Sequence, residues 1–287
     1  MDLRHYQDLA RGTDRTRGEV MIALLGLAGE AGEVLSEYKK YLRDGAAYTA
    51  LVDRLEEELG DLLWYVAMTA THFGLDLDRI GARNLAKVEG RWARTSGQMD
   101  MPAPFDAHMG AEEQLPRHLT VSIQASPDER HATLRLLYGG GDVGDALTDN
   151  AYAPDGYRFH DVFHLAYMAV LGWSPVMRKL LKRKRKTDQR IDEVEDGGRA
   201  VAIEEAISAI VFDYARQHAF FEGIDEIDHS LLRTIKSMTE HLEVSVRGVA
   251  AWEEAILAGY RIWRKVSADG SGTIVVDLDK ATIELAG

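Results

Sequence analysis

The spacing of apolar residues over the first part of the chain predicts four helices. Apolar side chains recur there with a period of 3.6 residues, which places them on one face of a helix. The period runs through residues 2–10, 18–42 and 50–73, and then from Leu75 to Trp92. The first part of the chain is therefore predicted to be helical.

The second predicted helix contains three glycines at intervals of three residues, namely Gly26, Gly29 and Gly32. Each glycine inside a helix costs ~1 kcal/mol relative to alanine. Glycines repeated at this spacing indicate that another helix packs closely against the same face.

The pattern changes near residue 95, where prolines and glycines interrupt the helical period. Residues 119–124 alternate between apolar and polar side chains, as a strand does, and residues 131–138 fit a second strand. Residues 272–285 fit a β-hairpin. We expect these strands to form a small sheet on an otherwise helical protein.

Helical spacing returns at residue 157 and continues to about residue 265. One helix of this region, which begins at Pro175, carries a run of basic residues from Arg178 to Lys186. The chain is therefore predicted to be mainly α. We expect a helical domain at 1–95, a linker with short strands at 96–156, and a second helical domain with a small β addition at 157–287.

Composition narrows the class of protein. The chain has 287 residues, of which 46% are hydrophobic and 28% charged, as in a soluble globular protein. Its net charge of −13 argues against a general nucleic-acid binder, and its lack of cysteine excludes disulfides and thiolate metal sites. No apolar run approaches the ~20 residues of a membrane span, and the N-terminus is too polar for a signal peptide. We therefore expect a cytoplasmic protein.

Two acidic motifs lie on the second and third predicted helices. They are Glu30-Ala-Gly-Glu33 and Glu58-Leu-Gly-Asp61, each next to an apolar run. The i,i+3 spacing places both carboxylates of a motif on one helix face, where burial is costly without a counter-charge. Four converging carboxylates without a nearby His or Cys predict a hard cation, Mg²⁺ or Mn²⁺.

These motifs and their surroundings resemble the MazG-like family of all-α nucleoside triphosphate pyrophosphohydrolases. The resemblance rests on Tyr6–Gln7, Gly26–Glu33, Glu57–Tyr65 and Asn84–Lys87, and covers roughly residues 2–93. It implies a helical bundle that forms a dimer or another oligomer. It also implies Mg²⁺-dependent hydrolysis of a nucleoside triphosphate to the monophosphate and pyrophosphate.

The resemblance implies that Glu30, Glu33, Glu58 and Asp61 bind the metal. It also implies that Asn84 and Lys87 face the nucleotide, and Arg91 continues the same basic helix face. Glu33 and Glu37 are candidates for the general base that orients the attacking water. Trp64 is a candidate for stacking on the base, although an aromatic at this spacing is more often part of the core.

One departure from the family pattern keeps an alternative open. Many relatives have an additional acid directly before the first motif glutamate, whereas Gly29 precedes Glu30 here. The missing ligand leaves the number of metal ions open. It is also compatible with a module that binds nucleotides without turnover.

The second half carries a candidate second site. His160 and His164 are one helical turn apart, as pairs of metal ligands often are, and Asp161 lies beside them. Glu204 or Glu205 would complete a transition-metal site, and the alternatives are a metalloenzyme centred on the two histidines or ordinary core and surface histidines. The order of motifs also fits a degenerate, permuted second unit, which would make a pseudo-dimer within one chain.

The basic run Arg178–Lys186 has three interpretations. It is a solvated helix face by default, because most such runs are. The others are a clamp for a triphosphate and a patch for nucleic acid.

Overall fold

The computed structural model describes residues 1–15, 19–92, 103–125 and 134–286, without the side chains of Lys87 and residues 89–92. The chain forms two compact units, Met1–Glu89 and Gly90–Gly287. Within the described ranges, no helix is long and apolar enough to cross a membrane.

Four helices form the first part of the chain, as the apolar period predicts. They are α1 (Leu3–Gly12), α2 (Val20–Asp44), α3 (Leu51–His72) and α4 (Leu77–Trp92). Helix α3 packs against both α1 and α2. The buried core of this unit is small and consists mostly of alanine, with Met68 and Leu77 as its large members.

Gln7 of the Tyr6–Gln7 motif connects α1 to the turn between α3 and α4. Its Nε2 donates to the Thr71 hydroxyl at 3.0 Å and to the Leu75 carbonyl at 2.8 Å. Its Oε1 accepts from the Leu77 backbone N–H at 3.0 Å. The side chain therefore satisfies backbone groups that a helix end leaves open, and its function in this motif is structural.

The close helix packing predicted from the glycines occurs at one of the three positions. A Cβ added to Gly26 would lie 2.1 Å from Cε1 of Tyr65 on α3. Cβ atoms added to Gly29 and Gly32 would meet no described atom within 4 Å. Gly26 alone thus sets the approach of α2 to α3, which carry the two acidic motifs.

The second unit contains a five-stranded antiparallel sheet. Its strands are β1 (His118–Ala125), β2 (Leu134–Tyr138), β3 (Gly141–Leu147), β4 (Ser271–Asp277) and β5 (Thr282–Leu285), in the order β3-β2-β1-β4-β5. Leu119 of β1 pairs with Val276 of β4. The sheet therefore joins strands of the segment expected to be a linker to the C-terminal hairpin.

Six α-helices accompany the sheet in the described part of the second unit. They are α5 (Asp161–Leu171), α6 (Pro175–Leu180), α7 (Gln189–Val194), α8 (Gly198–Arg216), α9 (His229–Met238) and α10 (Val249–Asp269). All residues of α5 are buried, because it packs against α10, α8 and strands β4 and β5. The mainly α fold with a small sheet is thus confirmed.

The structure corrects the interpretation of the basic run. Helix α6 ends at Leu180, and Lys182 adopts a positive φ of 58°, so the run does not continue along a helix to Lys186. Arg178 and Arg185 are 1% and 0% exposed. A solvated helix face does not describe these two residues, and their burial also excludes them from a phosphate clamp or a nucleic-acid patch.

Acidic partners distant in sequence neutralise the two buried arginines. Arg178 Nη2 lies 2.9 Å from Asp106 Oδ2, and Arg185 Nη2 lies 2.7 Å from both Asp196 Oδ1 and Glu243 Oε1. Burial opposes the ionisation of Asp106. The hydrogen bond from the Leu115 N–H and the guanidinium groups of Arg117 and Arg178 outweigh burial and lower the pKa of Asp106. The arginines therefore hold loops of the second unit together.

Candidate functional site

Helices α2 and α3 bring three of the four motif carboxylates together. Glu30 on α2 and Glu58 and Asp61 on α3 each present an oxygen, and these oxygens lie within 4.8 Å of one another. Glu30 and Glu58 are half-buried and Asp61 is exposed. We call these three residues the acidic cluster.

Among the residues whose side chains are described, none offsets the negative charge of the acidic cluster with an ion pair. The pKa of Glu58 is raised, first by desolvation and then by repulsion from Glu30, Glu33 and the adjacent acids of α3. Among the described residues, no Lys or Arg forms an ion pair with Glu30, Glu58 or Asp61. Closely spaced carboxylate oxygens without a cationic partner fit the ligand set of Mg²⁺ or Mn²⁺.

Glu33 lies beside the acidic cluster, and Glu37 does not join it. Glu33 is exposed, and its charge acts on both Glu58 and Lys40. Glu37 is buried, and its two oxygens accept hydrogen bonds from Lys40 Nζ and the Tyr48 hydroxyl. These bonds, from Lys40 first and then Tyr48, lower the pKa of Glu37, which makes it a weaker base than an ordinary glutamate.

The predicted nucleotide-binding residues are described only in part. Asn84 is exposed on α4, whereas the side chains of Lys87 and Arg91 lie outside the described residues. The Trp64 indole N–H donates to the Thr13 hydroxyl at 2.8 Å, and the ring packs edge-on against Tyr65. Trp64 therefore connects α3 to the end of α1 and also packs on the small core.

The second unit gathers the residues of the candidate second site at the start of α5. His160, Asp161 and His164 are buried, and their ligand atoms lie within 4.8 Å of one another. Glu204 and Glu205 approach from α8. His164 Nδ1 lies 2.8 Å from Glu204 Oε1, and its Nε2 lies 3.4 Å from Glu205 Oε2.

The electrostatics of this group depend on its burial. Burial disfavours a charged ring at His164, but the attraction of Glu204, their hydrogen bond and Glu205 outweigh burial and raise the pKa of His164 to about 10. Burial also raises the pKa of Asp161, against the attraction of the two histidines. His164 therefore lies between the carboxylates of two glutamates, with Glu204 at Nδ1 and Glu205 near Nε2.

Two residues, Tyr48 and Ser174, hold glutamates of these sites in place and were not identified in this role from the sequence. Tyr48 holds Glu37, and the Ser174 hydroxyl donates to Glu204 Oε1 at 2.6 Å. Ser174 is also the N-cap of α6, where its hydroxyl accepts from the Met177 N–H. No spacing rule could link it to Glu204, because the two are separated by 30 residues.

Comparison with known proteins supports the resemblance of the first unit and extends the relationship to the second. Residues 20–94 match the family model of the MazG nucleotide pyrophosphohydrolase domain, and residues 100–287 match that of the MazG C-terminal domain. The Gene 37 protein of Mycobacterium phage L5 is 44% identical over 69 residues, which are 23% of this chain and 60% of that protein. The alignment thus spans less than two thirds of this relative. No solved structure matches the chain.

The two family models together cover most of the length of the chain. The chain therefore belongs to the MazG family, with a MazG nucleotide pyrophosphohydrolase domain followed by a MazG C-terminal domain.

Proposed function

We propose that this protein hydrolyses a nucleoside or deoxynucleoside triphosphate to the monophosphate and pyrophosphate, with Mg²⁺ as cofactor and Mn²⁺ as a substitute. The observation that carries this proposal is the acidic cluster, three carboxylates within 4.8 Å. The cluster lies in the segment that matches the pyrophosphohydrolase domain. A nucleotide triphosphate is the substrate that such a domain implies.

The roles of the acidic residues follow from their surroundings. Glu30, Glu58 and Asp61 would hold the metal, with Glu33 as a further ligand. When bound, Mg²⁺ neutralises the triphosphate and lowers the pKa of a coordinated water. Of the two candidates for the general base, Glu33 is favoured, because Lys40 and Tyr48 occupy both oxygens of Glu37.

The nucleotide would extend from the acidic cluster toward α4. Asn84, Lys87 and Arg91 follow one another at i, i+3 and i+7 on that helix, so one polar and basic face would meet the sugar and phosphates. Trp64 ranks below these three residues as a candidate for contact with the nucleotide. Its N–H is already bonded to Thr13, so we propose it for stacking on the base and not for hydrogen bonding.

We also propose that the protein is a homo-oligomer. Large apolar side chains on α2 and α3 are exposed, including Leu25 at 65%, Leu35 at 70% and Val52 at 73%. A small alanine-rich core leaves this apolar surface uncovered within the first unit. Burying such a surface against a second copy is the usual way in which helical proteins remove it from water.

Pyrophosphate release from a panel of ribo- and deoxynucleoside triphosphates tests the proposed reaction. Glu58→Gln should abolish Mg²⁺-dependent release, because it removes a charged ligand without changing side-chain size. Glu56→Gln is the matched control on the same helix, since Glu56 is exposed and outside the acidic cluster. Release that persists in Glu58→Gln would contradict the assignment of the site. Nucleotide binding without release by the wild type would favour the binding module.

A further inference from the structure

The start of α5 and the middle of α8 carry a second group of potential metal ligands, distinct in chemistry from the acidic cluster. We propose that His160, Asp161, His164 and Glu205 form a binding site for a divalent transition-metal ion, with Zn²⁺ as the best fit. The donors are two imidazole nitrogens and two carboxylate oxygens, a set that Zn²⁺ accepts in four-coordinate sites. The proposal does not rest on the hydrolysis of nucleotides in the first unit.

Three of the four proposed donors lie within 4.8 Å of one another, and the fourth, Glu205, lies close to both rings. Glu205 Oε2 lies 3.4 Å from His164 Nε2 and 3.9 Å from His160 Nε2. His160 Nε2 also lies 4.0 Å from Asp161 Oδ1. Zinc bonds of ~2.0–2.2 Å place the ligands of a tetrahedral site about 3.3–3.6 Å apart. Small side-chain movements therefore bring the donors to bonding distance.

Hydrogen bonds on the far side of both rings orient the Nε2 atoms toward this point. His160 Nδ1 lies 2.9 Å from the Tyr157 carbonyl, which can only accept, so Nδ1 carries the proton and leaves the Nε2 lone pair free. His164 Nδ1 bonds to Glu204. Metal-binding histidines usually donate their second nitrogen to a carbonyl or carboxylate in this way.

The two adjacent glutamates have different roles. Glu204 is fully buried, and its oxygens also accept from the Ser174 hydroxyl at 2.6 Å and the Val176 N–H at 2.8 Å. It is thus fixed as a positioning residue for His164. The Glu205 side chain is 42% exposed, so it offers an oxygen to the ion and a path from solvent.

A polar atom without a hydrogen-bond partner gives independent support for a ligand. His164 is 0% exposed, and its Nε2 has no hydrogen-bond partner among the described residues. Its contact with Glu205 is 3.4 Å, longer than the ~2.7–2.9 Å of a charge-assisted hydrogen bond. A buried ring nitrogen left in this state is costly, and a metal ion would satisfy it.

Metal binding to the full-length protein tests this proposal. After treatment with a chelator, the protein is titrated with Zn²⁺ in excess Mg²⁺, which occupies the acidic cluster, and the bound metal is measured by mass spectrometry. Substitution with Co²⁺ reports the geometry through its visible absorption bands. We expect about one Zn²⁺ per chain and the intense Co²⁺ bands of a four-coordinate site.

Four variants locate the bound metal. Glu205→Gln changes a half-exposed side chain and His160→Gln removes one ring, so we expect both to weaken Zn²⁺ binding about tenfold or more. Glu204→Gln should weaken it about 10–100-fold and shift the Co²⁺ bands, as loss of a positioning residue does. His118→Gln is the control, because His118 lies exposed beside Asp277 in another group of potential ligands.

The outcomes separate a metal site from an ion-paired histidine. Binding lost in Glu205→Gln and kept in His118→Gln, with unchanged circular dichroism, supports the proposal. Absence of bound Zn²⁺ and Co²⁺ in the folded wild type overturns it and leaves His164 as a core histidine held between Glu204 and Glu205. Binding that only His118→Gln reduces also overturns it. Mg²⁺-dependent pyrophosphate release is measured in parallel, and its presence or absence does not decide this question.

Discussion

Replacing Gly26 by alanine tests the contact that brings the two acidic motifs together. The added methyl group would lie 2.1 Å from Cε1 and 2.3 Å from Cζ of Tyr65. Two carbon atoms in contact are normally 3.5–4.0 Å apart, so the ring or the helix must move by more than about 1 Å. Because Tyr65 is half-buried and packs against the small core of the first unit, we expect the helices to separate.

Two opposing terms give the size of the effect. Alanine in place of glycine gains ~1 kcal/mol of helix propensity. Overpacking a fitted contact costs typically ~1–3 kcal/mol, and the 2.1 Å approach places Gly26→Ala at the upper end. We therefore expect a net loss of about 2 kcal/mol. Gly32→Ala on the same helix meets no described atom within 4 Å and should gain about 1 kcal/mol.

Amide hydrogen exchange of peptides from α2 and α3 measures this difference within the first unit, at one protein concentration for all variants. Exchange in Gly26→Ala should be faster than in the wild type, and exchange in Gly32→Ala slower. Mg²⁺-dependent pyrophosphate release should fall only in Gly26→Ala, because Glu30 moves away from Glu58. Exchange in Gly26→Ala that is as slow as in the wild type would refute the packing argument.

Three further predictions concern stability. Arg185→Leu leaves the buried carboxylate of Asp196 without its main partner and should cost about 3–5 kcal/mol in urea unfolding. Arg216 pairs with Asp213, and these side chains are 56% and 62% exposed, so Arg216→Leu should cost under about 1 kcal/mol. Equal losses of stability in Arg185→Leu and Arg216→Leu would contradict this. The pKa of Asp106 is lowered from its ordinary value of 3.8. The ionised Asp106 therefore stabilises the fold at pH values above 3.8, and this stabilisation is lost as the pH falls below 3.8. An unchanged acid-unfolding profile in Asp106→Asn would argue against that. Trp64→Phe removes the bond to Thr13 and should cost about 1 kcal/mol in thermal unfolding. An unfolding curve identical to that of the wild type would contradict this.

Local regularities made much of the first unit predictable. The apolar period located α1 to α4 within a few residues, because the core-facing side of each helix must repeat every 3.6 residues. The same geometry placed Glu58 and Asp61 on one face. The distance from Glu30 to this pair depends on how closely α2 approaches α3. The glycines indicated this approach without showing that Gly26 alone makes it.

Long-range pairing was the part that sequence could not supply. The basic run has the composition of a solvated surface, and its partners Asp106, Asp196 and Glu243 are distant in the chain. Similarly, Glu204 and Glu205 are equivalent in sequence, and only the packing of α8 on α5 separates the buried residue from the half-exposed one.

The contrast between the two units indicates where binding is to be sought. In the second unit the buried charges of Arg178 and Arg185 are matched by carboxylates, as folding alone requires. The acidic cluster has no such match among the described residues, although an arginine near Glu58 would relieve its raised pKa. An arginine at this place would stabilise the fold. Folding stability therefore does not explain why these carboxylates repel one another without a cationic partner. We propose that a cation from solution, together with a polyanionic substrate, supplies the missing charge in the bound state. A related argument applies to His164 Nε2, a buried ring nitrogen whose nearest carboxylate oxygen, Glu205 Oε2, lies at 3.4 Å without forming a hydrogen bond.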